Sequence, residues 1–347
     1  MQINDVHSVV SEVLKERALD HRSCYTSVFA RPPDGGLVVE CSDHAVGDAL
    51  RRRMTDRLGD DARAISYRLL PNGDTLPELF VTATSVADVR REATHTAELL
   101  TQVIYGDAMT PIKQEGDWYL VRLRDGYLGW VRSWHVKPFT RAAVDRFGSA
   151  ARWRVTANII QIFEAPDEMS HPVGDAVVGT WIVASACGKR GWRRIVLADG
   201  REGFARSRGV GPPAAKRVSR QGLAATGMRF LGIPYLWGGT TPKGFDCSGL
   251  MQRIYDIHGV SIPRDSDQQS RYGAAKRVGS WESLNTGDLL FFGKQEDHIT
   301  HVAMYLANGL FLHAYGQVRV SALDPTHGLF EPRLTEEWRV TKDPLSL

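Results

Sequence analysis

The chain has 347 residues, a length that at ordinary domain sizes corresponds to about two to four domains. With 43% hydrophobic and 24% charged residues, its composition is typical of a globular protein. The net charge of +3 is too small to indicate nucleic acid or a membrane surface as a partner. The sequence also contains no apolar run long enough to span a bilayer.

The cysteines and the amino terminus bear on the compartment. Cys24, Cys41, Cys187 and Cys247 lie far apart and form no CxxC pair, so we expect neither a metal site nor a disulfide framework. The polar amino terminus begins an amphipathic helix and does not resemble a secretion signal. We therefore expect a cytoplasmic protein without a metal or organic cofactor. Secretion, with a signal peptide that has been removed, stays open as the alternative, and no motif specifies an oligomeric state.

Residues 1–78 predict a small α+β unit of unknown role. Helical periodicity near 5–18 and 44–58 accompanies strand-like segments at 24–29, 37–40 and 64–69. In the second helix an apolar stripe is formed by Val46, Leu50, Met54 and Leu58. The basic run at 51–53 lies beside this stripe, so we expect a solvated helix face there rather than a phosphate-binding patch.

An internal repeat follows, with an offset of 74 residues. The matching residues include Val81-Thr82-Ala83 with Val155-Thr156-Ala157, Trp118 with Trp192, and Asp125-Gly126 with Asp199-Gly200. Short alternating strands joined by Asp-Gly turns predict two small all-β barrels, at 79–138 and 153–212. Their pattern resembles bacterial SH3-like domains, and we expect Trp118 and Trp192 in the barrel cores.

A Gly-Pro-Pro-Ala-Ala stretch at 211–215 predicts a linker to a last domain, residues 216–347. In that domain Cys247 stands where a loop turns into a helix, because Leu250, Ile254 and Ile257 follow at helical spacing. A lone cysteine is usually inert core. The start of a helix carries partial positive charge, however, so we expect the pKa of the Cys247 thiol to be lowered.

Two histidines are candidates for the base that a catalytic cysteine needs. His301 begins an apolar strand, and His313 lies in the returning strand. A two-residue turn at Asn308-Gly309 pairs Met304 with His313 and puts the two rings on opposite faces. A three-residue loop pairs Ala303 with His313 and puts both rings on one face, so we predict that loop.

Six short motifs follow one another along this domain. They are Pro234-Tyr235-Leu236-Trp237-Gly238-Gly239, Phe245-Asp246-Cys247-Ser248-Gly249, Pro263-Arg264-Asp265-Ser266, Gly287-Asp288-Leu289-Leu290-Phe291-Phe292, His301-Val302-Ala303-Met304-Tyr305 and Phe311-Leu312-His313-Ala314. Over residues 220–335 the chain resembles the NlpC-type cell-wall cysteine peptidases. The resemblance implies a papain-like fold, in which a helix with the nucleophile packs on an antiparallel sheet with the histidines.

The same resemblance implies roles for individual residues. Cys247 would be the nucleophile, His301 the base and acid, and His313 the residue that orients His301. The expected oxyanion and substrate-binding residues are Tyr235, Asp246, Ser248 and Ser266. For two of these a simpler role stays open: Asp246 as an electrostatic partner of the helix start, and Ser266 as a helix cap. His298 is the main rival as the base.

The whole architecture is similar to that of γ-D-glutamyl-L-diamino acid endopeptidases, which act on murein peptides. In the subgroup that needs a free L-Ala amino terminus, the first barrel and the catalytic domain hold the amine. The matching positions here are Glu98, Tyr127 and Asp265. The second repeat has Arg201 where the first has Tyr127, so the two barrels have diverged.

The predicted fold class is thus multidomain, with a papain-like α+β catalytic domain, two SH3-like barrels and an amino-terminal α+β unit. The expected function is a cytoplasmic dipeptidyl-peptidase that recycles murein-derived peptides and releases L-Ala-D-Glu. One alternative is a secreted hydrolase that acts on intact murein. The other is a wall- or peptide-binding module with an idle catalytic domain.

Overall fold

The computed structural model describes residues 3–31, 35–71, 76–150, 153–212, 218–279 and 281–346. Residues 213–215 of the predicted linker lie outside them. Contacts divide the chain into two compact units: residues 1–80, 90–97 and 108–141 in the first, and 81–89, 98–107 and 142–347 in the second. The segment predicted as the first barrel therefore contributes to both units. None of the helices in the described ranges has the length and apolar character needed to cross a membrane.

The helices and strands follow one another in chain order. The first are α1 (Ile3–Glu16), β1 (Thr26–Arg31), β2 (Gly36–Cys41), α2 (His44–Leu58) and β3 (Ile65–Leu69). The first repeat has β4 (Leu79–Thr82), β5 (Val86–Arg90), β6 (Leu99–Ile104), β7 (Ala108–Glu115), β8 (Trp118–Arg122), β9 (Leu128–Arg132) and β10 (Val136–Phe139), followed by α3 (Arg141–Ala150). The second repeat has β11 (Trp153–Val155), β12 (Ile159–Phe163), β13 (Pro172–Val177), β14 (Trp181–Ala186), β15 (Trp192–Val196), β16 (Glu202–Arg206) and β17 (Val210–Gly211).

The carboxy-terminal domain contains the remaining elements. They are α4 (Arg220–Met228), β18 (Thr240–Thr241), β19 (Gly244–Phe245), α5 (Cys247–Ile257), α6 (Ser266–Gln269), β20 (Ala274–Ala275), β21 (Leu289–Gln295), β22 (His298–Ala307), β23 (Leu310–Tyr315), β24 (Gln317–Ala322), α7 (Pro332–Glu336) and β25 (Trp338–Asp343).

The amino-terminal segment is an α+β layer, as predicted. Strand β2 pairs antiparallel with β1 and parallel with β3, and α1 and α2 pack together beside this sheet. Their apolar faces supply the buried core, which includes Val9, Leu50 and Met54. Arg53 points outward and its guanidinium contacts the Glu16 carboxylate at 2.8 Å, so this part of the basic run is a solvated helix face.

The internal repeat is visible in the strand registers. Trp118 pairs with Arg132 across β8 and β9, and Trp192 pairs with Arg206 across β15 and β16, at the same offset of 74 residues. Gly126 and Gly200 occupy the turns with φ of 87° and 84°, a left-handed conformation that favours glycine. Both tryptophans are buried, as expected for barrel cores. The second repeat forms a seven-stranded sheet in the order β13-β12-β16-β15-β14-β11-β17.

The carboxy-terminal domain is a helix packed on a six-stranded sheet. The strand order is β20-β25-β21-β22-β23-β24, and every neighbouring pair in it is antiparallel. Helix α5 lies against β22 and β23, and α4 lies against α5. Ile254 of α5, Met304 of β22 and Leu312 of β23 belong to one fully buried cluster. This packing places the first residue of α5 near the sheet that carries the two histidines.

The turn between β22 and β23 differs from the predicted three-residue loop. Ala307 pairs with Leu310, so the turn has two residues, Asn308 and Gly309, with φ of 51° and 74°. The three-residue prediction was wrong because the register shifts between Tyr305 and Ala307, where a bulge absorbs one residue. Beyond the bulge Met304 pairs with Leu312. Continuing this register places His313 opposite Ala303, on the same face as His301, as the three-residue loop would have done.

A substitution at Gly227 tests the packing of α4, α5 and the sheet. A Cβ atom there would collide with the Leu312 side chain and come within 3.1 Å of Ile254 Cδ1 and Met304 Cε. We expect Gly227→Ala to lower the free energy of unfolding by about 1–3 kcal/mol through overpacking. Thermal unfolding measures this as a fall in the midpoint.

Gly148→Ala is the matched control. Gly148 is also helical, but a Cβ atom there meets nothing within 4 Å. It should leave the midpoint unchanged or raise it, because alanine stabilises an exposed helix by about 0.5–1 kcal/mol relative to glycine. An unchanged midpoint in Gly227→Ala would show that the core has room for a methyl group.

Candidate active site

The start of α5 is built around Asp246. Asp246 is the N-cap, and its Oδ1 accepts a hydrogen bond from the Gly249 backbone N–H at 2.6 Å. Cys247 is the first residue of the helix. A Cβ atom on Gly249 would collide with the Gly239 carbonyl oxygen, so only glycine allows this close approach. The Asp-Cys-Ser-Gly sequence therefore supplies the cap and the close backbone contact that hold Cys247 at the start of the helix.

Arg264 anchors this helix start from the side, a role that its sequence motif did not indicate. Its side chain is only 2% exposed. One guanidinium nitrogen lies 2.5 Å from Asp246 Oδ2, and another donates to Ser248 Oγ at 2.9 Å. Its Nε donates to Thr101 Oγ1 at 2.9 Å. The expected substrate residues Asp246 and Ser248 are therefore buried partners of Arg264. Asp246 also caps the start of α5, the simpler role that stood beside substrate contact.

The two histidines form a hydrogen-bonded pair. His301 Nε2 lies 2.9 Å from His313 Nδ1, and the Nε2 atom of His313 lies 3.0 Å from Ser321 Oγ. His313 and Ser321 are fully buried, and Tyr315 stacks on the His313 ring at 6.3 Å between centroids. The pairing uses Nε2 of His301 and leaves Nδ1 as the ring nitrogen available to a substrate or nucleophile. Ser321 was not foreseen, since a serine in a strand carries no sequence signal for this contact.

A cavity of about 300 Å³ joins the cysteine and the base. We call it the active-site cavity; it is lined by Tyr235, Cys247, Thr300, His301, Tyr315, Gly316, Arg333 and Glu337. Thr300 is the extra residue of a second bulge, between the pairs Phe292–His301 and Gly293–Ile299. Tyr235 is held in place by its backbone N–H, which donates to the Gly316 carbonyl at 2.9 Å. The rival base, His298, is exposed and is not among the lining residues.

The thiol pKa is raised, opposite to the sequence-based expectation. Burial, together with the neighbouring Asp246 carboxylate, raises the pKa of Cys247 to about 12. The helix-start argument was wrong here because the N-cap is itself an anion and the site is dry. Burial also lowers the pKa of His301 to about 4, with Arg333 contributing, and that of His313 to about 2. The site therefore holds a neutral thiol beside neutral imidazoles at pH 7.

Asp265 and Ser266 lie at the start of α6, outside the lining of the active-site cavity. Asp265 is the N-cap of α6 and forms a capping box with Gln268. The cap is thus Asp265, and the alternative role foreseen for Ser266 as the cap was wrong. Asp265 is half-buried, and one of its carboxylate oxygens lies 4.0 Å from Arg264.

Glu98 lies in the same compact unit as the cavity. Strand β6 is held there by Thr101, which accepts from Arg264, and by Gln102, whose Oε1 accepts from the Thr240 backbone N–H at 3.2 Å. Just before β6, Glu98 Oε1 accepts a hydrogen bond from the Trp237 indole at 2.9 Å. Trp237 is 62% exposed.

Tyr127 belongs to the first compact unit. It follows the Asp125-Gly126 turn, and its backbone N–H donates to Asp125 Oδ1 at 3.1 Å. Its side chain is 6% exposed. Arg201, its counterpart in the second repeat, makes the equivalent backbone contact with Asp199 at 3.2 Å, which supports the alignment of the two turns.

Two regions of the chain match known protein families. The sequence profile of the NlpC/P60 family matches residues 232–339, and that of the bacterial SH3 domain matches residues 85–137. A gamma-D-glutamyl-L-lysine dipeptidyl-peptidase of Bacillus cereus is 32% identical over 254 residues, which cover 67% of this chain and 72% of that protein. Dipeptidyl-peptidase 6 of Lysinibacillus sphaericus is 28% identical, over 72% of this chain and 93% of its own.

The fold is shared with a solved structure. The crystal structure of an NlpC/P60 family protein from Bacillus cereus has a TM-score of 0.67 at 24% identity, covering 77% of this chain and 99% of that one. The chain therefore belongs to the NlpC/P60 family of cysteine peptidases and carries a bacterial SH3 domain ahead of the peptidase domain.

Proposed function

We propose that this peptidase hydrolyses the amide bond between γ-D-glutamate and an L-diamino acid in murein peptides with a free amino-terminal L-Ala. It would release L-Ala-D-Glu from peptides that are being recycled. The observation that carries the proposal is the active-site cavity, in which Cys247, His301 and Tyr235 surround one space. The name of the Bacillus cereus relative, a gamma-D-glutamyl-L-lysine dipeptidyl-peptidase, supports the choice of bond. The name of the Lysinibacillus sphaericus relative, a dipeptidyl-peptidase, supports the release of a dipeptide.

In the proposed reaction Cys247 attacks the γ-glutamyl carbonyl carbon. His301 Nδ1 accepts the thiol proton during the attack, because a neutral thiol must lose it as the C–S bond forms. The Cys247 N–H lies in the first turn of α5, where backbone donors have no intrahelical acceptor. With the Tyr235 hydroxyl, whose pKa is raised by burial so that it keeps its proton, it would stabilise the oxyanion.

The histidine pair sets the tautomer that this step requires. If Nδ1 of His301 is the base, its Nε2 carries hydrogen and donates to His313 Nδ1. His313 then carries hydrogen on Nε2 and donates to Ser321 Oγ. The lowered pKa of His313 keeps its Nδ1 an acceptor. His301 next protonates the leaving amine, and water activated by His301 hydrolyses the thioester to regenerate Cys247.

Recognition of the free amine is proposed for Glu98 and Asp265, and the role of Tyr127 stays a sequence-based prediction. Two carboxylates suit an ammonium group, which loses its charge when the L-Ala nitrogen is acylated. Glu98 is positioned by Trp237, which belongs to the same sequence motif as Tyr235. Asp265 is positioned by its capping box beside Arg264.

Localisation in the cytoplasm is part of the same proposal. Cys24 and Cys41 are both buried and free, with their Sγ atoms 3.8 Å apart. Two thiols at this separation suit a reducing compartment, since oxidising conditions favour a disulfide between such neighbours.

Acetylation of the substrate amine tests the proposed function. With the tripeptide L-Ala-γ-D-Glu-L-diamino acid, we expect acetylation of L-Ala to lower kcat/KM by about a hundredfold, because the carboxylates then face an uncharged amide. Product release is measured by liquid chromatography. Cys247→Ala should abolish cleavage of both peptides.

Glu98→Gln should reduce this discrimination, whereas Glu92→Gln, at an exposed position of the same segment, should not. Equal cleavage of free and acetylated tripeptide would contradict amine recognition. Efficient digestion of intact murein would favour the secreted hydrolase instead.

The raised thiol pKa predicts the pH dependence of alkylation. The thiolate is the form that reacts with iodoacetamide, and a pKa of about 12 leaves little of it at pH 7. The alkylation rate of Cys247 should therefore rise about tenfold per pH unit between pH 6 and 9. Peptide mass spectrometry measures the alkylation of Cys247 separately from that of Cys187. Because Cys187 is partly exposed, its alkylation shows that the reagent is active. A plateau in the rate across this range would indicate a thiolate–imidazolium pair.

A further inference from the structure

We infer that the diamino acid recognised by this enzyme is one with a carboxylate at the far end of its side chain, such as meso-diaminopimelate, and that Arg333 selects it over L-lysine. Arg333 and Glu337 both line the active-site cavity. The inference rests on the proposed function. It goes further by assigning the leaving residue of the substrate and the side chains that distinguish its two common forms.

The position of His301 defines the side of the cavity that receives the leaving residue. The leaving group is the α-amine of the diamino acid, and His301 must reach this nitrogen to protonate it. The cavity walls next to His301 therefore face the diamino acid. Thr300 precedes His301 in the chain, and the Arg333 charge is close enough to contribute to the lowered pKa of His301. The residues proposed for the L-Ala amine, Glu98 and Asp265, are not in this lining.

Arg333 has a positive charge that the protein does not neutralise. In the part of the chain that the structure describes, its guanidinium makes no salt bridge, and it lies over the Tyr315 ring at 5.5 Å from the centroid. The side chain is exposed, so the charge stays hydrated until a ligand covers it. A planar guanidinium held against an aromatic ring is well suited to a bidentate contact with a carboxylate.

Glu337 supplies the complementary charge. It follows α7, and its backbone N–H donates to the Arg333 carbonyl at 3.0 Å, which fixes the two residues one helical turn apart. A terminal group with both an ammonium and a carboxylate, as in meso-diaminopimelate, matches this acid and base together. The side chain of L-lysine ends in the ammonium alone and offers Arg333 no anion at that end.

The experiment compares three tripeptides, L-Ala-γ-D-Glu with L-lysine, with meso-diaminopimelate, and with meso-diaminopimelate amidated at its side-chain carboxylate. For the wild-type enzyme we expect kcat/KM to be about ten- to a hundredfold higher for the free carboxylate than for the other two, as for a hydrogen bond to a charged group. The amidated peptide separates the effect of charge from that of size.

Substitutions assign the effect to residues. Arg333→Gln should bring the ratio of kcat/KM for the diaminopimelate peptide to kcat/KM for the lysine peptide close to one. Glu337→Gln should lower kcat/KM for the diaminopimelate and lysine peptides by a similar factor, because both carry the side-chain ammonium. Arg319→Gln is the matched control: Arg319 also lowers the pKa of His313 but does not line the cavity, so the ratio should not change.

Failure of the inference is distinguishable from failure of the proposed function. If the wild-type enzyme cleaves none of the three peptides, the proposed function is wrong. If it cleaves them at equal rates, or if Arg333→Gln lowers all three equally, the peptidase assignment stands and Arg333 does not select the diamino acid. A change in the ratio with Arg319→Gln would also overturn the inference, because it would assign the effect to general electrostatics.

Discussion

The ion pair between Asp246 and Arg264 is the interaction on which the site depends. Asp246 caps α5, and Arg264 lies 2.5 Å from its carboxylate while also contacting Ser248 and Thr101. The pair joins the nucleophile helix, the segment before α6 and strand β6 at one buried point. A buried charge without its partner is strongly destabilising. Loss of either residue would therefore remove the contact that holds all three elements together. The position of Cys247 therefore depends on its chain neighbours Asp246 and Ser248, which Arg264 holds in place.

Burial at this point also decides the protonation of the site. A dry environment with an anion at the helix start favours the thiol over the thiolate, and the same dryness keeps His301 and His313 neutral. Reactivity then depends on geometry, since the proton must move during the attack and the base must present the correct ring nitrogen. The chain of His301, His313 and Ser321 supplies that orientation from inside the sheet.

Local patterns predicted the helix start at Cys247, the two histidine strands and the repeat, because each depends on periodicity or turn chemistry within a short segment. The role of Arg264 was missed because its partners include Thr101, which is distant in the sequence. The direction of the thiol pKa was missed because charge can be read from the sequence, whereas solvent exclusion cannot. Helix α3 was not foreseen, since it buries no residue and leaves only a weak apolar pattern.

The bulge between β22 and β23 makes this hairpin tolerant of substitutions but sensitive to deletions. A two-residue turn and one bulged residue together bring His313 onto the face of His301. Replacing Leu306 or Asn308 leaves this parity intact, whereas deleting either one would direct a neighbour of His313 to the site. The number of residues between the two histidines therefore matters more for the site than the identity of those residues. A deletion of one residue in this hairpin would turn His313 away from the face of His301 even in a chain that is otherwise unchanged.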